Sequence, residues 1–386
     1  MTPYVYIPKD RLAAIDRYRY EGVDKSLMSR YILTPYWNHL VQLFPLWMAP
    51  NMITLLGFLT IVLNVATLFY YTSDLTECPH WVYYSFSLGL FLYQSLDAID
   101  GKQARRTGTS GPLGELFDHG CDALNTSLSI LTWASATGLG QSWWTVGSLW
   151  ASLANFYLST WQEYHTGHLY LGYFSGPVEG LLMLCAIHFL SGYFGPTIWS
   201  TRLNEILTGL SPHAVLGYFQ LNHLLVVFGA LVVLYNSLSG LHQVARSHPS
   251  FPTALFGLGP FVSLSVWGYL WLTTWPDLVT DHLALFIPFY GLLFGHQVGL
   301  MITAHVAQLP FPFINLPVTL LLVSGWLLAK YEAIVESALY IVLDHRLILQ
   351  MYLCLAAILY YHLASSVIHE ICTYLDVGCL YIKKKK

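Results

Sequence analysis

Long apolar runs separated by short polar connections extend over most of the chain. Ten of these runs approach the ~20 residues that an α-helix needs to cross a bilayer. They lie at about 53–72, 80–100, 119–139, 143–162, 174–193, 222–242, 254–275, 282–305, 310–330 and 348–369. The pattern predicts an all-α, polytopic membrane protein with about ten transmembrane helices, and interruptions by proline or glycine in two runs leave nine or eleven open.

The composition of the 386-residue chain excludes an ordinary soluble fold. Hydrophobic residues make up 55% of the chain and charged residues 10%, whereas roughly a quarter of residues are charged in typical globular proteins. The mean hydropathy of +0.52 agrees with a membrane location. Nucleic-acid binding is also excluded, since no basic stripe lies beside stacking aromatic residues.

The distribution of lysine and arginine predicts how the chain is oriented in the membrane. With ten spans, fourteen of the 17 basic residues fall on the side that holds both termini and the even-numbered connections, and three fall on the other side. Because cytosolic connections carry the excess of positive charge, both termini are predicted to be cytosolic. Residues 1–50 are mixed in polarity, which predicts helices that lie along the membrane surface.

Four aspartates break the apolar pattern where the second predicted span ends and the third begins. Asp97 and Asp100 are separated by one helical turn, as are Asp118 and Asp122, so each pair lies on one face of its helix. A short turn makes the two helices antiparallel neighbours, and the two pairs can then converge. Carboxylates without counter-charges would repel one another, whereas Mg²⁺ or Mn²⁺ prefers all-oxygen ligands. The spacing therefore predicts a site for two divalent ions, the usual arrangement for displacement at phosphorus.

The connection between the two pairs contains residues suited to a phosphate ligand. Gly101 and Gly114 remove side chains where a nucleotide would approach the backbone. Arg105 offers a planar guanidinium fork for a phosphate group. A cation or proton-coupled transporter is the alternative interpretation, because acidic residues on adjacent spans also serve as proton or cation relays.

The complete spacing resembles the signature of the CDP-alcohol phosphotransferases. Every fixed position of that signature is present in the pattern Asp97-x2-Asp100-Gly101-x2-Ala104-Arg105-x8-Gly114-x3-Asp118-x3-Asp122. Residues 45–51, 111–119 and 175–180 are also similar to the eukaryotic choline/ethanolamine phosphotransferases. The resemblance covers most of residues 1–180, and the second half matches only loosely.

The resemblance implies a reaction and a set of site residues. Phosphocholine or phosphoethanolamine would pass from CDP-choline or CDP-ethanolamine to diacylglycerol, which releases CMP and forms phosphatidylcholine or phosphatidylethanolamine. The implied roles are metal ligands for Asp97, Asp100, Asp118 and Asp122, contacts to the CDP-alcohol for Asn51, Arg105, Gly101 and Gly114, and catalysis for His119 and Glu115.

His119 is the expected general base within this set. An imidazole titrates near neutral pH and can accept a proton from the attacking hydroxyl. Glu115 lies one turn earlier on the same helix face, where its carboxylate would orient the ring. Asp122 is the alternative base, because some relatives lack the histidine. Three residues after the fourth span show no ligand spacing and are interpreted as loop residues: Glu163, His165 and His168.

The chain is predicted to divide into four parts. Residues 1–50 form cytosolic or interfacial helices, 51–193 the catalytic helices, 194–370 C-terminal helices with a lipid chamber and a surface for a homodimer, and 371–386 a cytosolic tail. The terminal lysines resemble a retrieval signal of the endoplasmic reticulum. We therefore expect the membrane of the endoplasmic reticulum, or of the Golgi, with the active site facing the cytosol. The choice between choline and ethanolamine is left open.

Overall fold

The computed structural model describes residues 5–18, 22–24, 26–171, 177–206, 215–340 and 342–383. Several residues used in the sequence interpretation lie outside these ranges. They include Arg19 and Lys25, which were counted among the basic residues, Ser175 and Gly176, which carried part of the family resemblance, and Lys384 to Lys386, which belong to the predicted retrieval signal.

Helices dominate the described residues, as the apolar pattern predicts. The α-helices are α1 (Leu12–Arg17), α2 (Thr34–Leu40), α3 (Pro50–Tyr71), α4 (His80–Thr107), α5 (Pro112–Ala136), α6 (Trp143–Thr166), α7 (Pro177–Phe194), α8 (Leu203–Ile206), α9 (Leu221–Ser247), α10 (Phe251–Phe256), α11 (Gly259–Thr274), α12 (Asp277–Thr280), α13 (Leu283–Val306), α14 (Leu316–Lys330), α15 (Glu332–Leu339) and α16 (His345–Leu375). Two short strands, β1 (Gly22–Asp24) and β2 (Leu169–Leu171), pair in parallel. The remaining helical turns are a π-helical turn at Ser29–Leu33 and 3₁₀ turns at Val41–Leu43, Pro196–Ser200 and Val215–Tyr218.

Each of the ten predicted runs coincides with a helix, but not every helix is a strong candidate for a membrane span. Within the described ranges, five helical segments are long and apolar enough to cross a membrane, or six if α14 and α15, which bend by 71°, form one span. α4 and α5 carry the four aspartates of the acidic pattern, which lower the mean hydropathy of these helices. α7 is shorter than the five candidate spans. The polytopic helical fold is confirmed, and the count of ten spans stays a prediction.

α13 lies at the centre of the bundle. Of its most apolar stretch 72% is buried, against 6% for α9. Phe286, Tyr290 and Phe294 on α13 are fully buried in the main hydrophobic core. α13 packs against α5, α6 and α16. α5, which carries Asp118 and Asp122, therefore packs against the most buried of the candidate spans.

α9 presents its apolar side chains to the outside. Leu231, Tyr235 and Leu238 are each more than half exposed. A continuous apolar surface of this kind is unfavourable in water and is satisfied by lipid. The exposure therefore agrees with a membrane location.

One end of the bundle gathers the segment before α3, the end of α4 and the C-terminal tail. The Gln103 side chain donates hydrogen bonds to the carbonyl oxygens of Pro45 and Met48, at 2.9 and 3.1 Å. Met48 also pairs with Tyr381 in an antiparallel bridge. These contacts bring together segments that the ten-span arrangement places on one side of the membrane.

Candidate active site

The acidic signature lies on two regular helices rather than in a loop. α4 continues through Gly101 and Arg105 to Thr107, and α5 begins at Pro112. Gly108 follows α4 in the left-handed conformation, at φ 66°, which glycine adopts without the steric penalty of a Cβ. Proline suits the first turn of α5 because no intrahelical N–H bond is needed there. The connection between α4 and α5 thus spans only residues 108–111, and α3 packs against both helices.

Three of the four predicted metal ligands converge between these helices. One oxygen each from Asp97, Asp100 and Asp118 lies within 4.8 Å of the other two. Thr54, on the neighbouring α3, donates a hydrogen bond from its hydroxyl to the Asp100 carboxylate. The arrangement brings both aspartates of α4 together with Asp118 of α5.

Two of these carboxylates each have an oxygen atom that could bind a cation. Oδ1 of Asp97 and Oδ1 of Asp118 are buried and have no hydrogen-bond partner among the described residues. A buried polar atom without a partner is unfavourable. A divalent cation would satisfy both atoms, and an all-oxygen site is the type that Mg²⁺ or Mn²⁺ prefers. The residues present therefore fit the expected metal.

Asp122 has a different environment from the other three aspartates. It lies one turn after Asp118 on α5 and accepts a hydrogen bond from the hydroxyl of Tyr93 on α4. This bond occupies one of its oxygens. Its role as a fourth metal ligand, or as the alternative base, stays a prediction.

Of the predicted nucleotide contacts, Gly101, Gly114 and Arg105 reach the open surface of the protein, whereas Asn51 is buried. A Cβ built on Gly101 would have Arg105 Nη1, at 3.7 Å, as its one described neighbour within 4 Å. A Cβ built on Gly114 would have Asn51 Oδ1, at 3.9 Å. Both glycines therefore leave room for a ligand close to the backbone. Arg105 is exposed at this surface, so its guanidinium can reach a phosphate group.

Asn51 also contacts the C-terminal tail, which the sequence did not associate with the site. Asn51 is buried in the first turn of α3, and its Nδ2 lies 3.8 Å from Sγ of Cys379. Burial raises the pKa of the Cys379 thiol. The thiol is thus uncharged near neutral pH and adds no negative charge beside the expected position of the nucleotide.

His119 lies between the aspartates and a second group of acidic residues. Its Nδ1 is 3.9 Å from Oδ2 of Asp118 and 3.2 Å from the carbonyl oxygen of Glu115. Its Nε2 is 3.3 Å from Oε2 of Glu163, which lies on α6. His119 is only 6% exposed. The ring therefore has Nδ1 on the side of the predicted metal ligands and Nε2 on the side of α6.

The carboxylate of Glu115 was expected to contact the His119 ring, but its hydrogen bond is with Tyr18. Tyr18, which follows α1, donates a hydrogen bond from its hydroxyl to Oε2 of Glu115. The Tyr18 ring also packs edge-on against His305, with 5.6 Å between the ring centroids. One oxygen each of Glu115 and Glu163 and a ring nitrogen of His305 lie within 4.8 Å of one another. The orientation of His119 by Glu115 stays a prediction.

Comparison with known proteins agrees with this arrangement. The family model described as CDP-alcohol phosphatidyltransferase matches residues 47–210, which contain all the site carboxylates named above. Cholinephosphotransferase 1 of Saccharomyces cerevisiae is 36% identical over 403 residues, with 99% of each chain covered. The proteins named choline/ethanolaminephosphotransferase 1 from the same yeast and from Arabidopsis thaliana are 38% and 35% identical, again with 99% of each chain covered. The chain belongs to the CDP-alcohol phosphatidyltransferase family.

Membership of this family confirms the resemblance carried by the aspartate signature. It gives no support to the alternative of a cation or proton-coupled transporter. The matches also extend over the second half of the chain, which by its sequence resembled the family only loosely.

The interpretation of Glu163 as a loop residue was wrong. Glu163 lies in the last turn of α6, is 3% exposed and touches His119. His165 also belongs to α6, and His168 follows its end. A signal was present, because an ionisable residue at the end of an apolar helix is a functional candidate by default. Spacing along one helix could not reveal a partner on another helix.

Three hydroxyl-bearing residues of the site were also missed. Thr54, Tyr93 and Tyr18 each donate a hydrogen bond to a different carboxylate of the site. Threonine and tyrosine are common on helices of this composition, so their types carry no signal by themselves. Thr54 and Tyr18 come from other segments that pack near α4 and α5, and Tyr93 of α4 bonds to a carboxylate of α5, so only the packing between segments identifies these contacts.

Proposed function

We propose that the protein transfers phosphocholine or phosphoethanolamine from a CDP-alcohol to diacylglycerol, which forms phosphatidylcholine or phosphatidylethanolamine and releases CMP. The observation that carries the proposal is the convergence of Asp97, Asp100 and Asp118 beside His119. It is supported by the names of the full-length relatives, which are cholinephosphotransferases and choline/ethanolaminephosphotransferases.

The aspartates of α4 and α5 would hold Mg²⁺ or Mn²⁺. Asp97, Asp100 and Asp118 are the ligands favoured by their mutual distances, and Asp122 is the fourth in the family signature. When bound there, divalent cations would neutralise the charge of the pyrophosphate and of the departing CMP. Thr54 fixes the orientation of Asp100 through its hydrogen bond.

The chemistry is a direct displacement at phosphorus. The diacylglycerol oxygen forms a bond to the phosphorus that bears choline or ethanolamine, and the bond from that phosphorus to the CMP oxygen breaks. The electron pair of that bond leaves with CMP. His119, beside Asp118, accepts the hydroxyl proton as the general base. Arg105, Asn51 and the two glycines of the open surface bind the CDP-alcohol and align it.

The proposed setting is a membrane of the endoplasmic reticulum or the Golgi, with the site open to the cytosol. The excess of basic residues on the side of the α4–α5 connection supports this orientation. A soluble CDP-alcohol would then enter from the cytosol, and diacylglycerol from the bilayer. A homodimer through the C-terminal helices stays a prediction.

The decisive experiment is a transfer assay with the purified protein in lipid nanodiscs. CMP release and phospholipid formation are measured with CDP-choline and with CDP-ethanolamine, in the presence and absence of Mg²⁺ or Mn²⁺. We expect divalent-dependent transfer to diacylglycerol by the wild type and no transfer by Asp118→Ala. Wild-type protein that releases no CMP with either CDP-alcohol would refute the proposal.

The identity of the base is tested separately. We expect His119→Ala to lose most of its turnover while it still binds CDP-choline, because a general base contributes roughly 10²–10⁴-fold to rate. Turnover near that of the wild type would move the role of base to Asp122.

A further inference from the structure

We propose that a cavity between α11, α13 and the start of α14 binds an ester-linked acyl chain of a glycerolipid, and that this lipid is diacylglycerol. The cavity has a volume of about 210 Å³, and its lining includes Ser263 on α11, Gln297 on α13 and Thr319 on α14. None of the four aspartates of α4 and α5 lines it, so it is separate from the candidate active site. The choice of diacylglycerol rests on the proposed function, whereas the site itself does not.

A non-helical segment beside α13 places the cavity inside the membrane. α13 ends at Val306, and α14 begins only at Leu316. Nδ2 of Asn315 lies 3.0 Å from Nδ1 of His296, which is ten residues before the end of α13. At a rise of about 1.5 Å per residue, the segment therefore runs back along α13 by roughly 15 Å before α14 starts. The cavity is thus level with the apolar interior of α13 and not with its end.

The cavity is accessible from the lipid-facing surface. Two of its lining residues, Phe313 and Ile314, are 43% and 80% exposed, so it is not sealed inside the bundle. On the two outer helices of the cavity, Val262, Leu316 and Leu320 are each more than half exposed. Apolar surface of this extent is satisfied by lipid rather than by water. Acyl chains of the bilayer therefore have direct access to the cavity.

The side-chain amide of Gln297 is the feature that selects an ester. Gln297 is 2% exposed and lines the cavity, and its Nε2 has no hydrogen-bond partner among the described residues. The Tyr157 hydroxyl comes near this side chain without the geometry of a hydrogen bond, and it donates its own proton to the carbonyl oxygen of Gly257 at 2.7 Å. A buried N–H donor without an acceptor is unfavourable. The ester carbonyl that joins an acyl chain to glycerol would supply this acceptor.

The lining favours a lipid without a charged head group. The described residues that line the cavity are all uncharged, so a phosphate or ammonium group there would have no counter-charge. Gln297 lies nine residues before the end of α13, or about 14 Å along the helix axis. A phospholipid would have to draw its charged head group below the membrane surface to bring an ester to this depth. Diacylglycerol carries only a hydroxyl at that position and can enter further.

The test is photolabelling of the full-length protein in lipid nanodiscs, with a diacylglycerol probe that bears a diazirine on one acyl chain. Labelled peptides are mapped by mass spectrometry after irradiation. We expect label within residues 259–264 and 313–322, and we expect excess unlabelled diacylglycerol to compete for it. A phosphatidylcholine probe with the same acyl chain should label these residues several-fold less. Equal labelling by the two probes would overturn the assignment to diacylglycerol, and the absence of competable label from both would overturn the site.

Two variants connect the label to the cavity. Gln297→Leu removes the amide at similar side-chain volume, so the label should fall by roughly 2–10-fold, which corresponds to the loss of one hydrogen bond. Its thermal midpoint should stay the same or rise, because an unpartnered buried donor is lost, whereas a purely structural role of the amide would lower it. Thr319→Trp fills the cavity and should abolish the label. Leu320→Trp is the matched control, because Leu320 is 57% exposed and is not among the lining residues, and it should keep the label.

The outcomes separate the lipid site from the proposed function. Labelling requires no turnover, so a wild type that is labelled at these residues but releases no CMP would keep the site and refute the proposed function. A wild type that transfers phosphoalcohol but shows no competable label would overturn the inference and leave the proposed function standing. Label at the wild-type level in both Gln297→Leu and Thr319→Trp would assign it to the outer surface of the helices, and this too would overturn the inference.

Discussion

The contact between α5 and α13 supports the helix that carries Asp118 and Asp122, and Gly291→Ala perturbs this contact directly. A Cβ added at Gly291 on α13 would lie 2.6 Å from the Cβ of Ser127 on α5. Carbon atoms in ordinary contact are about 3.5–4.0 Å apart, so the helices must separate locally by roughly 1 Å. Such overpacking destabilises a core by about 1–3 kcal/mol, and the better helix propensity of alanine offsets about 1 kcal/mol of it.

The displacement is expected to affect turnover more than stability. Ser127 lies little more than one turn after Asp122, so a shift of α5 at this point moves Asp118 and Asp122 relative to the aspartates of α4. Misplacement of reacting groups by about 1 Å can lower a rate by roughly 100-fold. We expect kcat of Gly291→Ala to fall on the order of 10–100-fold, with a decrease of a few degrees in the thermal midpoint.

The assay is CMP release in nanodiscs, with thermal unfolding followed by tryptophan fluorescence. Gly229→Ala on α9 is the matched control, because no described atom lies within 4 Å of a Cβ added there. Replacing Ser127 with glycine in the Gly291→Ala background removes the opposing Cβ and should restore turnover. Unchanged kcat in Gly291→Ala, or failure of Ser127→Gly to improve it, would show that this close approach does not control the site.

Three further predictions concern the immediate surroundings of the aspartates. Thr54→Val preserves the shape of the side chain but removes the donor to Asp100, so the Mg²⁺ concentration for half-maximal CMP release should rise about 10-fold or more; an unchanged Mg²⁺ titration would contradict this role. Arg105→Lys keeps the charge of an exposed side chain but loses the guanidinium fork. KM for CDP-choline should therefore rise several-fold with the thermal midpoint unchanged, and an equal KM would argue against a phosphate contact. Because burial raises the pKa of Cys379 above its ordinary value of 9.0, alkylation by N-ethylmaleimide, followed by mass spectrometry, should still accelerate above pH 9. A rate that levels off by about pH 8 would contradict the raised pKa.

The length and spacing of residues along the chain were enough to predict the class of protein and the approach of aspartates from two helices. Apolar runs of membrane-spanning length predicted the helices, because hydrophobic length is a property of each segment by itself. The paired spacing of the aspartates predicted their convergence, since residues one turn apart share a helix face and a short connection places adjacent helices side by side. The contacts of the two glycines and of Arg105 with a nucleotide stay predictions.

The tertiary structure alone decided which side chains complete that site. Glu163 reaches His119 from α6, and Tyr18 reaches Glu115 from the end of α1. Helical spacing predicts Glu115 as the carboxylate that orients the imidazole, and this stays a prediction; spacing along one helix cannot indicate partners on other helices. Contacts between separate helices depend on their crossing angles and relative registers, which are set by the packing of the whole bundle rather than by any local stretch of sequence.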